Sequence, residues 1–446
     1  MDARRASLVA LIHMEAHKTY SNLMVSNLIE KQKMRPKDSS LAIQLIYGVT
    51  ERRITLDYII SRYLNRPFSQ LNLQVKNVLR LGIYQLLYLN IDDFAAVHET
   101  VELVKRIGCA KYAAFVNAIL RQFLRDDKRV FLTQPPRQLS KRLSVLYSCP
   151  QWLVSQLLKQ YGNKLVEHYL KLQLEKPPIF LRVNTERIFL RDCISRLQEE
   201  GFQLMPVEPE GACIMQLGKN LFQSAAFQDG LFHIQDISSQ FAAKIVAHYS
   251  PQSVLDICSA PGGKTFTIAE ILGDKAKVTA CDISSKRLNL MRNEATRLGL
   301  LNRLNIIQKD AREENSLGLF DFVLCDLPCS GFGVVRRKPE IKYKSQKEIS
   351  ALPSLQREIL DNASKNVRPG GYLLYSTCTL LKSENQNVIE NFLQMHPEFS
   401  FHALPSFLAN KFGEQNGMAT MLHENYDGDG FFVALCKKRK DGGERE

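Results

Sequence analysis

Apolar residues recur at three- and four-residue intervals through the first 128 positions. The runs Leu8–Ile12, Leu41–Tyr47, Leu56–Tyr63, Val75–Leu89, Ala95–Arg106 and Tyr112–Leu124 carry that spacing, which puts their apolar side chains on one face of a helix. Glycine and proline are few and fall between these runs, where they end helices rather than interrupt them. Residues 1–128 are therefore predicted to form an all-α bundle. Tyr58, Tyr63, Tyr84, Tyr88 and Tyr112 share the core spacing and are read as packing residues before base-stacking ones. Helical spacing returns over 151–174, with the only tryptophan at Trp152. Pro177 and Pro178 close that stretch. Ile179–Thr185 then predicts an edge strand, Leu190–Glu200 a helix and Gln203–Val207 a second strand. Leu231–Gln235 leads into the last region, where Asp236 and Ser238 are candidate N-caps for a helix over Phe241–Tyr249.

From Ser253 the rhythm changes to short apolar runs alternating with helical ones. Strands are predicted at Ser253–Ile257, Lys277–Asp282, Leu304–Gln308, Phe320–Asp326, Gly371–Ser376 and Gly430–Cys436, with helices between them at Ser285–Leu298, Ser354–Asn366 and Ser383–Met395. This alternation implies a mostly parallel sheet covered by helices on both faces. The expected chain is multidomain. An all-α domain (1–128) leads through a basic helical connector (129–174) and a small α+β region (175–235) to an α/β, Rossmann-like domain (236–446).

Composition adds limits. With 446 residues, 45% apolar and 24% charged, the chain reads as a soluble globular protein. No stretch approaches the ~20 apolar residues of a membrane span. The start Met-Asp-Ala-Arg-Arg has no apolar core before a cleavage site, so a cytoplasmic protein is expected. Ten cysteines are scattered, and the close pair Cys325 and Cys329 has no second pair at zinc-ligand spacing. Free thiols, no disulfide framework and no metal are expected. The net charge of +13 is uneven: residues 1–200 hold 31 Lys and Arg against 18 Asp and Glu, whereas the remainder holds 28 against 28. A basic half joined to a neutral half suggests that the first grips a polyanion, RNA or DNA. Arg125, Lys128, Arg129, Arg137, Lys141 and Arg142, interleaved with Pro135 and Pro136, read as linker and phosphate-contacting surface.

The candidate chemistry centres on residues 254–264. Val254-Leu255-Asp256-Ile257 is a strand, Cys258-Ser259-Ala260-Pro261-Gly262-Gly263-Lys264 a tight turn, and Thr265–Leu272 a helix. An open α/β sheet binds ligands at such a strand end. Acids mark the ends of successive strands at Asp256, Asp282, Asp310 and Asp326. Asp282, twenty residues after Gly262, is placed to accept hydrogen bonds from a ribose diol. The turn is neither a Gly-x-Gly-x-x-Gly fingerprint nor a phosphate loop. A nucleoside ligand without polyphosphate fits better, and S-adenosylmethionine is one, with a sulfonium that acidic strand ends would suit. Two cysteines complete the set, in Asp326-Leu327-Pro328-Cys329-Ser330-Gly331 and Tyr375-Ser376-Thr377-Cys378-Thr379. A thiolate at a strand end can attack an electrophilic carbon. Spacing does not decide which cysteine does so. Arg336, Arg337, Lys338 and Lys342, with Lys344 and Lys347, follow the Pro-Cys motif as a basic loop suited to phosphates flanking a target base. Arg182 and Asn184 are further RNA-contact candidates. The run Lys437–Lys440 reads as a solvated tail.

Several segments carry resemblances. Leu79–Leu86, Ala96–Lys105 and Phe115–Arg121 resemble the NusB-like RNA-binding helical domain, which implies RNA contact and not catalysis. The stretches Asp256–Thr265, Asp326–Gly331 and Ser376–Cys378 resemble the RNA cytosine-5 methyltransferases of the NOL1/NOP2/Sun family. Both resemblances together cover nearly the whole chain and match the bacterial branch that methylates a cytosine of small-subunit (16S) ribosomal RNA. The resemblance implies that Cys258 to Lys264, Asp282, Asp310 and Asp326 line the S-adenosylmethionine site. It implies that Cys378 is the nucleophile and that Cys329 assists product release. With it, Asp326 is read as activating the cytosine and Lys264 as orienting Asp326, in a monomer without metal. Ser259, Leu327, Phe332, Thr379 and Cys149 depart from the family pattern without removing a needed group. The same chemistry on tRNA or large-subunit rRNA, and a non-catalytic RNA-binding assembly factor, are the competing expectations.

Overall fold

The computed structural model describes residues 2–17, 21, 24–25, 34–126, 128, 136–217, 220–313 and 317–440. Arg129 and Pro135 of the expected connector lie outside them. The chain divides into two units: Met1–Glu175 with Val335–Lys344, and Lys176–Val334 with Ser345–Glu446.

The first unit is helical, as its periodicity predicts. Its helices are α1 (Ala3–His17), α2 (Pro36–Glu51), α3 (Arg53–Ser61), α4 (Leu73–Tyr88), α5 (Asp93–Arg106), α6 (Ala113–Arg125), α7 (Leu139–Leu146), α8 (Gln151–Tyr161) and α9 (Asn163–Leu172). α4 is the axis of the bundle and packs against α1, α2, α3, α5 and α6. It buries Val75, Val78, Leu79, Leu81, Ile83 and Leu86, and is buried nearly all round because neighbours cover it on several sides. The tyrosines pack on this core: Tyr84 is buried, and Tyr58, Tyr63, Tyr88 and Tyr112 lie partly buried against it. Arg80, inside α4, is satisfied by Asp57 at 2.6 and 2.8 Å and by Glu15 at 2.6 Å. Asn72 and Asp92 cap α4 and α5 through the amides of Gln74 and Ala95.

Two elements of this unit differ from the sequence reading. The stretch read as linker holds α7, fixed to α3 by Thr55 Oγ1 donating to the Val145 carbonyl (2.6 Å) and by Ser148 Oγ accepting from the Ile54 amide (2.9 Å). The basic loop also belongs here in part. Lys342 is 1% exposed and donates to the Glu51 carbonyl at 2.6 Å. Tyr343 donates to the Thr50 carbonyl at 2.7 Å and lies under Arg53, whose guanidinium carbon is 3.5 Å from the ring centre. The expectation that Lys342 contacts RNA is corrected: its ammonium spends its hydrogen bond on backbone inside the protein, and burial pulls its pKa down to about 8.

The second unit opens with a small antiparallel sheet. Its strands are β1 (Ile179–Val183), β2 (Gln203–Val207), β3 (Ala212–Leu217) and β4 (Phe232–Ile234), in the order β2-β3-β1-β4, with helix α10 (Leu190–Glu199) between β1 and β2. β1 is thus central rather than an edge: it pairs with β3 on one side and β4 on the other, and the two prolines stop short of it. Arg182 of β1 was expected to contact RNA. It is instead buried, with Nε and Nη2 at 3.0 and 2.8 Å from the carboxylate of Glu270, itself buried. Asn184 likewise donates to the Leu298 carbonyl at 3.1 Å.

α11 (Ile237–His248), capped by Asp236 as expected, leads into the main sheet. Its strands are β5 (Ser253–Ile257), β6 (Lys277–Asp282), β7 (Leu304–Gln308), β8 (Phe320–Asp326), β9 (Val367–Thr377), β10 (Phe399–Phe401), β11 (Met418–Met421) and β12 (Phe431–Lys438). The helices between them are α12 (Gly263–Leu272), α13 (Ser285–Leu298), α14 (Leu352–Ser364), α15 (Gln386–Met395) and α16 (Ser406–Phe412). The order is β10-β12-β9-β8-β5-β6-β7, with β11 on β12. The five strands β5, β6, β7, β8 and β9 form the parallel part; β12 returns antiparallel along β9. β12 runs on to Lys438, whose ammonium donates to the Val367 carbonyl at 3.0 Å, so half of the expected solvated tail is strand. Side chains of β5, β8 and β9 alternate between two buried clusters, one on each face of the sheet. The register pairs Ile257 with Cys325 and Asp326 with Ser376. It therefore brings the ends of β5, β8 and β9 level. Among the described residues, no helix is long and apolar enough to cross a membrane, and no group of acids, histidines and cysteines could hold a metal.

Candidate active site

The turn after β5 is built by backbone that few residues tolerate. Cys258 adopts φ +65° and Gly262 φ +110°. A Cβ on Gly262 would lie 2.4 Å from the Phe266 ring, so glycine is required there. The turn bounds a cavity of about 210 Å³ lined by Gln235, Asp256, Cys258 to Pro261, Gly263, Lys264 and Asp326, among others. Asp256 is buried. Its Oδ2 accepts from Thr265 Oγ1 at 2.5 Å, and its Oδ1 has no hydrogen-bond partner among the described residues. Burial pushes its carboxyl up to about 7, against the pull of the Thr265 hydrogen bond and of Lys264.

Asp326, at the end of β8, accepts from Lys264 Nζ at 2.6 Å and from Ser376 Oγ at 3.0 Å. Burial works to lower the Lys264 pKa, but Asp326 opposite it raises the net value, so the ammonium stays charged. Its Nζ also lies 5.0 Å from the centre of the Phe431 ring. Asp282, buried at the end of β6, accepts from the amides of Ala260 (3.2 Å) and Ser284 (2.9 Å) and faces Arg287 at 3.3 Å. It braces the turn from outside the cavity lining. Asp310, past β7, pairs with Arg312 at 2.5 Å. The Arg312 hydrogen bonds hold its carboxyl below the usual range, and it too is absent from the lining.

Sequence reasoning missed one wall of the cavity. Gln235 is 6% exposed. Its Oε1 accepts from Thr267 Oγ1 at 2.6 Å and its Nε2 has no hydrogen-bond partner among the described residues, which adds a neutral donor to a lining that already holds Lys264, Asp256 and Asp326. The residue just before a helix cap is no signal by itself, since its side-chain direction is set only when β4 pairs with β1.

The two cysteines meet. Cys329 Sγ and Cys378 Sγ are 3.3 Å apart, both free and half-buried, at the ends of neighbouring strands. A hydrogen bond toward Cys378, together with burial, raises the Cys329 thiol well above its ordinary value, so Cys329 keeps its proton. Cys258, pushed up to about 12 by burial, stays a neutral thiol as well. Gly333 lets the backbone close behind the pair: its amide donates to the Cys378 carbonyl (2.9 Å) and its carbonyl accepts from the Gly430 amide (3.0 Å). A Cβ at Gly333 would sit 1.8 Å from the Gly430 oxygen. Of the basic residues expected at RNA, Lys338 is exposed; Arg336, in the first unit, donates to the Glu175 carbonyl at 3.2 Å, and Arg337 is half-buried.

A strand-end turn, an acid held by a lysine and two facing thiols thus gather at one edge of the sheet. Comparison with known proteins bears on their use. The "Probable ribosomal RNA small subunit methyltransferase B" of Bacillus subtilis is 35% identical to this chain, over 98% of it and 99% of that protein. The chain belongs to the ribosomal RNA small subunit methyltransferase B family. The Salmonella newport member is 32% identical over 92% of both chains. Family models agree region by region: "16S rRNA methyltransferase RsmB/F" matches residues 243–437, the NusB family residues 1–125, and the ferredoxin-like domain of RsmF/B-like methyltransferases residues 149–218. The crystal structure of PH0851 has a similar fold, with TM-score 0.80 and 24% identity over 98% of both chains. A Pyrococcus horikoshii methyltransferase homologue matches 66% of this chain at TM-score 0.56. The protein is a methyltransferase, and the site fits the cofactor of that family, S-adenosylmethionine. The unpartnered Gln235 Nε2 suits a carboxylate, the unpartnered Asp256 Oδ1 suits a hydrogen-bond donor, and the glycine turn leaves room for close approach.

Proposed function

We propose that this methyltransferase modifies carbon 5 of a cytosine in small-subunit ribosomal RNA through a covalent adduct on Cys378, acting in the cytoplasm as a monomer without metal. The observation that carries the chemistry is the 3.3 Å approach of Cys329 and Cys378 beside the Lys264–Asp326 pair. The substrate follows the names of the relatives, and ten free thiols suit a reducing compartment.

Carbon 5 of cytosine is a poor nucleophile. In the proposed reaction the Cys378 thiolate forms a bond to carbon 6, and the pair from the ring double bond moves to carbon 5. Bound S-adenosylmethionine supplies an electrophilic methyl on sulfur. Asp326, fixed by Lys264 and Ser376, accepts a hydrogen bond from the exocyclic amine and holds the base in place. Lys264 keeps that carboxylate from swinging. After transfer, carbon 5 gives its proton to solvent and the bond from Cys378 to carbon 6 breaks. Cys329, which retains its proton, stabilises the departing thiolate through its S–H. The base must leave its stack for carbon 6 to meet the sulfur.

Incubating the enzyme with methyl-labelled cofactor and unmethylated 16S rRNA, then sequencing after bisulfite, tests the whole reading. One protected cytosine is expected. Cys378→Ala is expected to lower methylation by at least about 10³-fold with cofactor affinity intact. Residual activity within tenfold of wild type would move the nucleophile elsewhere.

A further inference from the structure

The two sulfurs, 3.3 Å apart, belong to separate loops, one after β8 and one after β9, which the Gly333 amide links by donating to the Cys378 carbonyl at 2.9 Å. A buried set of side chains joins the loops. Glu384 is 1% exposed and lies just before α15. Its Oε2 accepts from the backbone amide of Ser330, the neighbour of Cys329, at 2.7 Å. The same oxygen accepts from Gln356 Nε2 at 3.3 Å, and Gln356 also donates to the Pro328 carbonyl at 3.0 Å. Glu384 therefore clamps the Pro-Cys loop on both sides of Cys329. The next residue clamps the other loop: Asn385 Nδ2 donates to the Thr379 carbonyl at 2.9 Å, and its Oδ1 accepts from Thr377 Oγ1 at 2.6 Å. Thr377 and Thr379 flank Cys378. Ser330 and Thr379 hydroxyls meet at 2.7 Å and close the ring.

We propose that Glu384 is a positioning residue that, with Asn385, registers the two cysteine loops, so that Cys329 stays in hydrogen-bonding reach of Cys378 and the adduct breaks down at its normal rate. Adjacent residues thus hold the two halves of one sulfur pair. The carboxylate touches no reacting atom and acts through Ser330 and Gln356. Its charge also lies close enough to Cys329 to favour the protonated thiol. The part concerning adduct breakdown rests on the proposed roles of Cys378 and Cys329; the registration of the sulfurs does not.

Two readouts separate these parts. The first uses no substrate: the full-length protein is treated with the thiol oxidant diamide, and formation of the Cys329–Cys378 disulfide is followed by peptide mass mapping. Glu384→Ala is expected to slow it about tenfold or more through lost alignment, whereas Glu384→Gln, whose amide oxygen still accepts from Ser330, stays within about threefold of wild type. The second is the fraction of enzyme trapped as covalent RNA adduct on denaturing gels during turnover. It is expected to rise in Glu384→Ala as in Cys329→Ala, with cofactor affinity and melting midpoint showing that both variants are folded. A disulfide rate equal to wild type in Glu384→Ala overturns the positioning role. A slowed disulfide without adduct, when Cys329→Ala also gives none, overturns the release role of Cys329 and leaves the registration standing.

Discussion

Lys264 and Asp256 lie on either side of the same turn and respond to burial in opposite ways. Lys264 keeps its charge because Asp326 is 2.6 Å away; Asp256, with one oxygen unpartnered, moves toward its neutral form. Lys264→Met is expected to release Asp326 to Ser376 alone and to lower kcat about 10- to 100-fold, with little change in the melting midpoint. Steady-state kinetics beside a thermal melt checks both. For Asp256, the folded carboxyl titrates at about 7 against 3.8 in the ordinary state. The folded form therefore holds a proton that the unfolded chain has already lost. This contribution to stability is full below pH 3.8 and disappears as pH rises through 7. Asp256→Asn is thus expected to melt at a higher temperature relative to wild type at pH 8 than at pH 5. An unchanged difference between the two pH values would rule out a raised carboxyl. At this scale Asp326, Cys329 and Cys378 were legible as neighbours because they lie at or just past the ends of β8 and β9, whose apolar runs are plain in the sequence. Arg182 and Lys342 were misread because a basic residue looks the same in sequence whether it faces solvent or a buried partner. Glu270 lies 88 positions from Arg182, and Glu51 lies 291 from Lys342.

Between elements, the Arg182–Glu270 pair ties β1 of the small sheet to α12 of the large one, and Glu270 Oε1 also accepts from the amide and hydroxyl of Thr185. Arg182→Met leaves a buried carboxylate without its counter-charge and is expected to cost about 3–5 kcal/mol. Pairing it with Glu270→Gln should recover a good part of that, since the charge that needed compensation is gone. Denaturant titration of the three variants checks this, and RNA affinity should be nearly unaffected. Equal stability of single and double variants would contradict the ion-pair account. Of the parallel strands, β5, β6, β7 and β8 were readable at their observed bounds, whereas β9 begins at Val367, ahead of the predicted Gly371, because Arg368, Pro369 and Gly370 break its apolar run. β3, β10 and β11 were not readable: they are short, they pair antiparallel, and Ala212–Leu217 and Met418–Met421 follow no strong period-two pattern. Edge status also defeats local reading. β1 follows two prolines, as an edge strand would, yet both its sides are paired.

Over the whole molecule, charge divides by region more sharply than fold does. Residues 1–200 carry the entire net +13. RNA affinity is expected to fall steeply with salt, by about 10³-fold or more between 50 and 200 mM if six or more phosphates are neutralised. Filter binding across salt concentrations measures the slope, and a slope near zero would remove the basic half from RNA binding. The change of period near Ser253 marks the start of the parallel sheet, inside the unit that begins at Lys176. That the chain leaves the second unit at Val334 and re-enters it at Ser345 was not legible, because no local pattern announces which core a ten-residue loop will join.

That detour sets an order of assembly. The chain is synthesised from its amino end, and domains ordinarily fold as they emerge. Here the helical unit lacks Lys342 and Tyr343, which satisfy the carbonyls of Glu51 and Thr50 at the end of α2, until residue 344 has left the ribosome. By then β5 to β8 and the glycine turn are already out. The amino-terminal unit is therefore completed late in translation, and a nascent chain stalled before Val335 holds an unfinished helical unit beside a methyltransferase sheet that already has its first four parallel strands.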